Sequence, residues 1–275
     1  MRYAIIASTQ DIAAMNIKDH LMLSGKFHEL DETYEGHPIF EHASGAARLY
    51  TVDRSSVDCE GIDSEVDAHF IIFATRHRAE SGIPSLTLHV CGNFSEARLG
   101  GKEKQISVAM PSHMKAALNF MFEEAARHAG VSFEIVQEAT HHGPLLSKPS
   151  MFIEIGSDEK CWEDNTAGEI IAKTILYLVT AEIKHCEAVF VLGGGHYNQV
   201  AQKIMHSTKY AVGHICPKYA LPHLDTAMLA QLMERSGSVP VAILDWKGLG
   251  QEKERIIGLL EGKGVKYIRS DRLEV

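Results

Sequence analysis

Three short segments put histidine or carboxylate at, or just past, the end of an apolar run. They are Thr140-His141-His142-Gly143-Pro144, Phe152-Ile153-Glu154-Ile155-Gly156-Ser157 and Gly193-Gly194-Gly195-His196-Tyr197. An imidazole can take a proton, hold a metal or orient another group near neutral pH. His141 and His142 are adjacent, so a regular strand would point them to opposite faces. Gly143 and Pro144 impose a turn instead, where both rings can face one cleft. On spacing alone the pair reads equally well as two loop histidines. Glu154 is the sharper signal, because a carboxylate inside an apolar run must be paired or metal-bound to offset desolvation. Its strand puts it on one face with Phe152, while Met151, Ile153 and Ile155 take the other.

The glycine run lacks the Gly-Lys-Ser/Thr ending of a P-loop and is not a G-x-G-x-x-G fingerprint. Gly193, Gly194 and Gly195 between a strand and a helix would let backbone amides approach a phosphate, a carboxylate or a developing oxyanion. A tight turn made for packing is the alternative, with His196 and Tyr197 as the extra content. Arg76-His77-Arg78 directly follows an apolar strand and is either a solvated strand end or a phosphate anchor. Trp162 reads as a packing residue and Asp164 as a helix cap.

The elements that must position these groups follow from periodicity. Residues 2–8, 67–75, 85–90, 131–136, 151–155, 188–192, 210–215, 239–244 and 265–268 read as strands. Helices are expected over 10–21, over 112–128 with Ser112 as cap, behind Asp164 or Asn165, and over 197–206, 225–235 and 251–261. Residues 27–66, rich in Gly, Asp, Glu and Ser, read as an irregular portion. Strand–helix alternation from about residue 130 predicts a three-layer α/β/α fold with a mainly parallel, mixed sheet. Nothing splits the chain, so residues 1–275 read as one domain. Ligands in such sheets collect outside the carboxyl ends of the strands. His141, His142, Glu154 and His196 are therefore expected in one cleft at that edge.

Composition narrows the class. The chain has 275 residues, 45% hydrophobic and 23% charged, as a globular enzyme carries. The five cysteines form no C-x-x-C pair, which argues against a disulfide framework or a zinc finger and fits a reducing cytoplasm. The first residues turn polar too quickly for a signal peptide, and no stretch is long enough to span a membrane. A formal charge of −9 argues against DNA and generic nucleic-acid binding.

Residues 75–81 (Thr-Arg-His-Arg-Ala-Glu-Ser), Leu86-Thr87-Leu88-His89-Val90 with Gly92-Asn93, and residues 139–144 together resemble the archaeal and plant type of D-aminoacyl-tRNA deacylase. So do Phe152–Ser157 with Trp162 and Asp164, Gly193–Tyr197, and Gly213-His214-Ile215 with Pro217-Lys218-Tyr219. The ordered set runs from near the first strand almost to the C-terminus. The resemblance implies a phosphorylase/hydrolase-like fold related in shape to peptidyl-tRNA hydrolase. It also implies hydrolysis of the ester between a D-amino acid and tRNA, and zinc dependence; a monomer is the expected form.

The residues themselves agree on hydrolysis. An aminoacyl ester is already activated and needs a positioned water, a base and oxyanion stabilisation. No serine sits in a G-x-S-x-G elbow. Water attack assisted by histidine, or by zinc held among His77, His142, Glu154 and His196 with His141 nearby, is the simpler route. Arg76, His77, Arg78, the three glycines and Tyr197 are the expected substrate contacts. A zinc aminopeptidase or amidohydrolase of the same fold, and a non-enzymatic RNA-binding module, are the rivals. If tRNA binds an acidic protein, positive charge must be local, and Arg76, Arg78, Lys102, Lys104, Lys148 and Lys218 are the expected contributors.

Overall fold

The computed structural model describes residues 1–128, 130, 132–237 and 241–273. The first half runs β1 (Tyr3–Ser8), α1 (Ile12–Leu23), β2 (Phe27–Tyr34), β3 (His37–His42), β4 (Ala47–Val52), α2 (Ile62–Glu65), β5 (Phe70–Arg76), β6 (Ser85–His89), β7 (Gly92–Asn93), β8 (Gln105–Ile106) and α3 (Pro111–Ala125). The second runs β9 (Glu134–Gln137), β10 (Ser150–Gly156), α4 (Glu159–Trp162), α5 (Asn165–Thr180), β11 (Glu187–Leu192), α6 (Gln199–Ser207), β12 (Tyr210–Cys216), α7 (Thr226–Arg235), β13 (Val241–Leu244), α8 (Lys253–Gly262) and β14 (Tyr267–Arg269). Val131 and Val239, with which two of the expected strands begin, lie outside the described residues.

The fold is α/β, as expected, but its strands form two main sheets. The larger is mixed, in the order β2-β3-β4-β1-β5-β10-β6-β9. Its β4-β1, β1-β5, β5-β10 and β6-β9 ladders are parallel. The second, β12-β11-β13-β14, is parallel throughout. Alternation shows which segments are strands but not which edges pair. Here β9 and β12 approach without a ladder, and the Gln137 side chain bridges them instead, its Nε2 donating to Val212 O at 3.3 Å and Gly213 O at 3.1 Å.

The segment read as irregular is an ordered antiparallel meander of β2, β3 and β4. Most of β2 is exposed at the sheet edge, so its Glu- and Asp-rich sequence carries no apolar alternation to reveal it. By contrast β1, Tyr-Ala-Ile-Ile-Ala-Ser, is buried along its length. One core packs α1, α3 and α5 against Ile5, Ile72, Met151 and Ile153 of the large sheet, and reaches Val189, Val191 and Ile215 of the small one. A second lies between the outer face of the small sheet and α7 and α8, around Phe190, Leu244, Leu229 and Leu260.

Caps fix the helix starts. Asp164 accepts from Ala167 N at 2.8 Å, as its position suggested, and Asn198 accepts from Ala201 N at 2.9 Å. Ser112 does not cap α3. That helix starts with Pro111 in its first turn, and the Ser112 hydroxyl accepts from Cys186 N at 3.0 Å. All five cysteines are free, and no described helix is long and apolar enough to cross a membrane.

Candidate active site

The large sheet builds one wall. In the centre of the sheet Glu154 of β10 lies in register between Thr75 of β5 and Thr87 of β6. Its carboxyl is buried and accepts a hydrogen bond from Thr87 Oγ1 at 3.0 Å. His89, at the end of β6, is wholly buried with its Nε2 3.5 Å from Glu154 Oε1. His77 follows β5, and its Nδ1 lies 3.6 Å from Glu154 Oε2 and 3.0 Å from Glu138 Oε1. Its backbone carbonyl accepts from the Trp162 indole at 2.9 Å, which confirms that Trp162 packs and shows that it also anchors the His77 segment.

Residues 137–142 run between the sheets. Ala139 N donates to His196 O at 2.8 Å and Thr140 N to Ile215 O at 3.0 Å, while Gly92 N donates to His142 O at 2.7 Å. This segment carries Glu138, whose buried carboxylate accepts from His196 Nε2 at 2.8 Å and lies 3.8 Å from His141 Nε2. The next two histidines share a device. His141 Nδ1 donates to Ala139 O at 2.8 Å and His142 Nδ1 donates to Gly143 O at 2.6 Å. Each carbonyl fixes the proton on Nδ1 and leaves an Nε2 lone pair. His142 holds a left-handed backbone, φ +41°, a conformation that collects at functional sites.

The small sheet supplies the third side. The loop after β11 carries His196, whose Nδ1 meets the Tyr219 hydroxyl at 3.2 Å, and Tyr197, whose hydroxyl meets His77 Nε2 at 2.5 Å. The glycines before them serve packing first. A Cβ at Gly193 would stand 3.0 Å from the Gly248–Leu249 backbone, and one at Gly194 would stand 2.5 Å from Asn198 Nδ2. Gly195 alone of the three has room beside it.

Burial and neighbours set the protonation. Burial drives His142 down to about 4 and His141 well below the ordinary histidine range, so both are neutral bases at neutral pH. His77 and His89 are lowered for the same reason. The two carboxyls part company. Burial pushes Glu154 up, Glu138 pushes it further, and among the described residues only Thr87 donates a hydrogen bond to it. Burial would raise Glu138 too, but the His196 hydrogen bond and the positive ends of His77 and His89 prevail and hold it down at about 2. A proton taken up by the pair therefore favours Glu154, and the charge favours Glu138.

His141, His142, Glu154 and His196 line one cavity of about 500 Å³, together with Arg76, His77 and Arg78. Arg76 also stacks over Trp162, its guanidinium carbon 5.2 Å from the ring. Tyr197 reaches the cluster through His77. Glu138, His89, Thr87 and Tyr219 were not among the expected site residues. The alternation of residues 85–90, which sets Thr87 and His89 on one face, was the available signal for two of them. Glu138 stands three residues before His141, but only the docking of the second sheet shows what it faces.

Metal-ligand chemistry fits the residues. His89 Nδ1 and Nε2 and Glu138 Oε1 are buried without a hydrogen-bond partner, and such atoms need one. The carbonyl-tied Nδ1 of His141 and of His142 is the support that metal-bound imidazoles commonly have. The expected set of His77, His142, Glu154 and His196 does not form one group. Among the described residues the nitrogen and oxygen atoms gather as His77 with Glu138 and Glu154, Glu138 with His141 and His196, and His89 with His141 and His142.

Comparison with known proteins adds the family to this geometry. The family model described as D-aminoacyl-tRNA deacylase matches residues 64–268. The chain is 35% identical to the D-aminoacyl-tRNA deacylase of Methanosarcina acetivorans, covering 99% of this chain and 93% of that one. It is 35% identical to that of Pyrococcus furiosus over 96% of this chain and 98% of that one. A crystal structure described as a conserved protein of unknown function superposes with a TM-score of 0.89 at 30% identity, covering 98% of this chain and 96% of that one.

Proposed function

Because the chain belongs to the D-aminoacyl-tRNA deacylase family, we propose that its cavity hydrolyses the ester joining a D-amino acid to tRNA, releasing both free. The observation that carries the reading is the pair His141 and His142, whose Nδ1 hydrogens are tied to backbone carbonyls and whose rings line a cavity with Glu154, Glu138 standing 3.8 Å from His141 Nε2.

His142 Nε2 takes the proton of the attacking water, and its Nδ1–H stays on Gly143 O throughout. The ionised Glu138 stabilises the imidazolium that forms and holds His196 in place. His142 then returns the proton to the leaving ribose oxygen. Protonated Glu154 is the donor available to the oxygen that becomes negative, while the Tyr197 hydroxyl, which donates to His77 Nε2 at 2.5 Å, holds that ring in place. Arg76 and Arg78, at the cavity wall, take the nearest phosphate, and Gly195 leaves room for the substrate. Zinc held by Glu138, His141 and His196, whose ligand atoms gather in one group, would supply Lewis-acid polarisation of the ester carbonyl. A monomer in the cytoplasm, where charged tRNA is found, is the form we assign to it.

The test is hydrolysis of matched D- and L-aminoacyl-tRNA by purified protein, with and without a chelator. The D-ester is expected to be cleaved and the L-ester spared. Chelation should abolish turnover, and added zinc should restore it. Cleavage of free peptides or amides without tRNA would instead favour an aminopeptidase, and full activity in metal-free protein would leave the histidines and carboxylates as the whole apparatus.

A further inference from the structure

We propose that the carboxyl edge of the four-stranded sheet holds the 3′ strand of the tRNA acceptor end and leads it into the cavity. The proposal rests on tRNA being the substrate. Cys216, Leu192, Leu244 and Arg269 lie in register across this parallel sheet, so all four strands end at one edge and their loops leave from it together. Those loops carry Gly193–His196, Pro217-Lys218-Tyr219, Asp245-Trp246-Lys247 and the residues after Arg269.

They form one surface. Lys218 N donates to Gly194 O at 2.9 Å, and a Cβ on Gly250 would stand 3.0 Å from Lys218 Cε. Trp246 N donates to Ser270 Oγ at 3.2 Å. The surface begins at the cavity itself, where Tyr219, 61% exposed, touches His196. An exposed tyrosine ring suits an unpaired base, which stacks without regard to sequence. Beyond it the Trp246 ring carries two cations, the Arg269 guanidinium at 3.8 Å and the Lys253 ammonium at 4.3 Å.

Charge on this edge is left available for phosphate. Asp245 accepts from Gly248 N at 2.9 Å, Glu252 is engaged by Arg255, and Asp271 by Arg269. Glu254 is exposed nearby. Among the described residues Lys218, Lys247 and Lys253 make no ion pair. The other expected contributors differ. Lys104 pairs with Asp225 at 2.9 Å, Lys148 Nζ is folded onto Val66 O at 3.3 Å, and Lys102 and Lys148 border a cavity that Glu60 and Asp63 also line.

Binding of deacylated tRNA is measured against KCl concentration for the wild type, for Lys218→Ala with Lys247→Ala, and for the triple variant that adds Lys253→Ala. Each phosphate contact on a single strand contributes about 0.7 to the slope of log affinity against log salt, so the triple variant should lose about 2 and bind at least about tenfold more weakly. Tyr219→Leu should weaken binding of the trinucleotide CCA about tenfold, and Tyr219→Phe should keep it. Melting midpoints establish that each variant is folded. Unchanged affinity and slope in the folded double and triple variants would overturn the proposal, as would the same loss in Lys102→Ala with Lys148→Ala instead. The substrate reading fails separately, if wild-type protein neither binds tRNA nor cleaves its D-aminoacyl ester.

Discussion

The two sheets contribute to the cavity in different ways. The large sheet presents Thr87, His89 and Glu154 from the middle and end of buried strands, where no water competes and burial dominates titration. The small sheet presents His196, Tyr197 and Tyr219 from loops beyond its strand ends, half-exposed or exposed, His196 held by hydrogen bonds to Glu138 and Tyr219 and Tyr197 by one to His77. Between them the strip carrying Glu138, His141 and His142 belongs to neither sheet and is bonded to both. Strands fix protonation through desolvation, and loops fix access. The strip between them is where charge and lone pairs meet.

The largest expected effect separates the two carboxyls. Glu138→Gln removes the charge that faces His77, His141 and His196 and should lower turnover about a thousandfold, the upper end for loss of a preorganised electrostatic group. In metal-free protein it should also cost about 2 kcal/mol of stability, as a buried hydrogen bond to a charged group does. Glu154→Gln imitates the protonated carboxyl and should change metal-free stability by less than about 1 kcal/mol. Urea unfolding of both variants after chelation checks this. Equal losses would mean that the carboxyls share the charge evenly and that burial does not distinguish them.

Next come the histidines. His142→Ala should lower turnover about a hundredfold if it is the base, and His196→Ala about tenfold, because His196 acts from a more exposed loop through Glu138. Single-turnover rates on D-aminoacyl-tRNA measure both. A larger loss for His196 would move the chemistry to the small sheet's side.

Much of the large sheet's part of the site was legible in the sequence. β5 and β10 announce themselves as continuous apolar runs, and Glu154 inside one of them could only be paired or functional. The Gly143-Pro144 turn explains why two adjacent histidines can share a cavity. Glu138 was not legible as a hub, because its partners His77 and His196 lie about sixty residues away on either side and meet it only when the sheets dock. The same limit hid the division into two sheets, since β9 and β12 look like neighbours in one until Gln137 is seen to bridge them. The glycine run was legible only as a choice between a ligand loop and a packed turn, and the close approach of Gly193 to the backbone of 245–249 and of Gly194 to Asn198 appears only in the fold.

The smallest expected effect tests the seam on which the comparison depends. His214 of β12 is wholly buried, its Nε2 donating to Ser107 O at 3.0 Å. Thr140 Oγ1 accepts from Ile215 N at 3.1 Å, so its own proton goes to His214 Nδ1 at 3.0 Å, which must then be an acceptor. Burial accordingly drives His214 down to about 3. An unfolded histidine titrates near about 6.5, so below that pH the unfolded chain takes up a proton that the folded chain refuses. The stability this group contributes is whole above pH of about 6.5 and is lost at about 1.4 kcal/mol per pH unit as the pH falls toward the folded value. His214→Gln keeps a donor and an acceptor but cannot titrate. Between pH 7 and pH 5 the wild type should therefore lose about 2 kcal/mol more than the variant in urea unfolding. A parallel pH dependence would show that His214 takes up its proton in the folded chain as readily as in the unfolded one. In that case Thr140 could not be held as described, and the strip bearing His141 and His142 would be tied to the small sheet by its backbone alone.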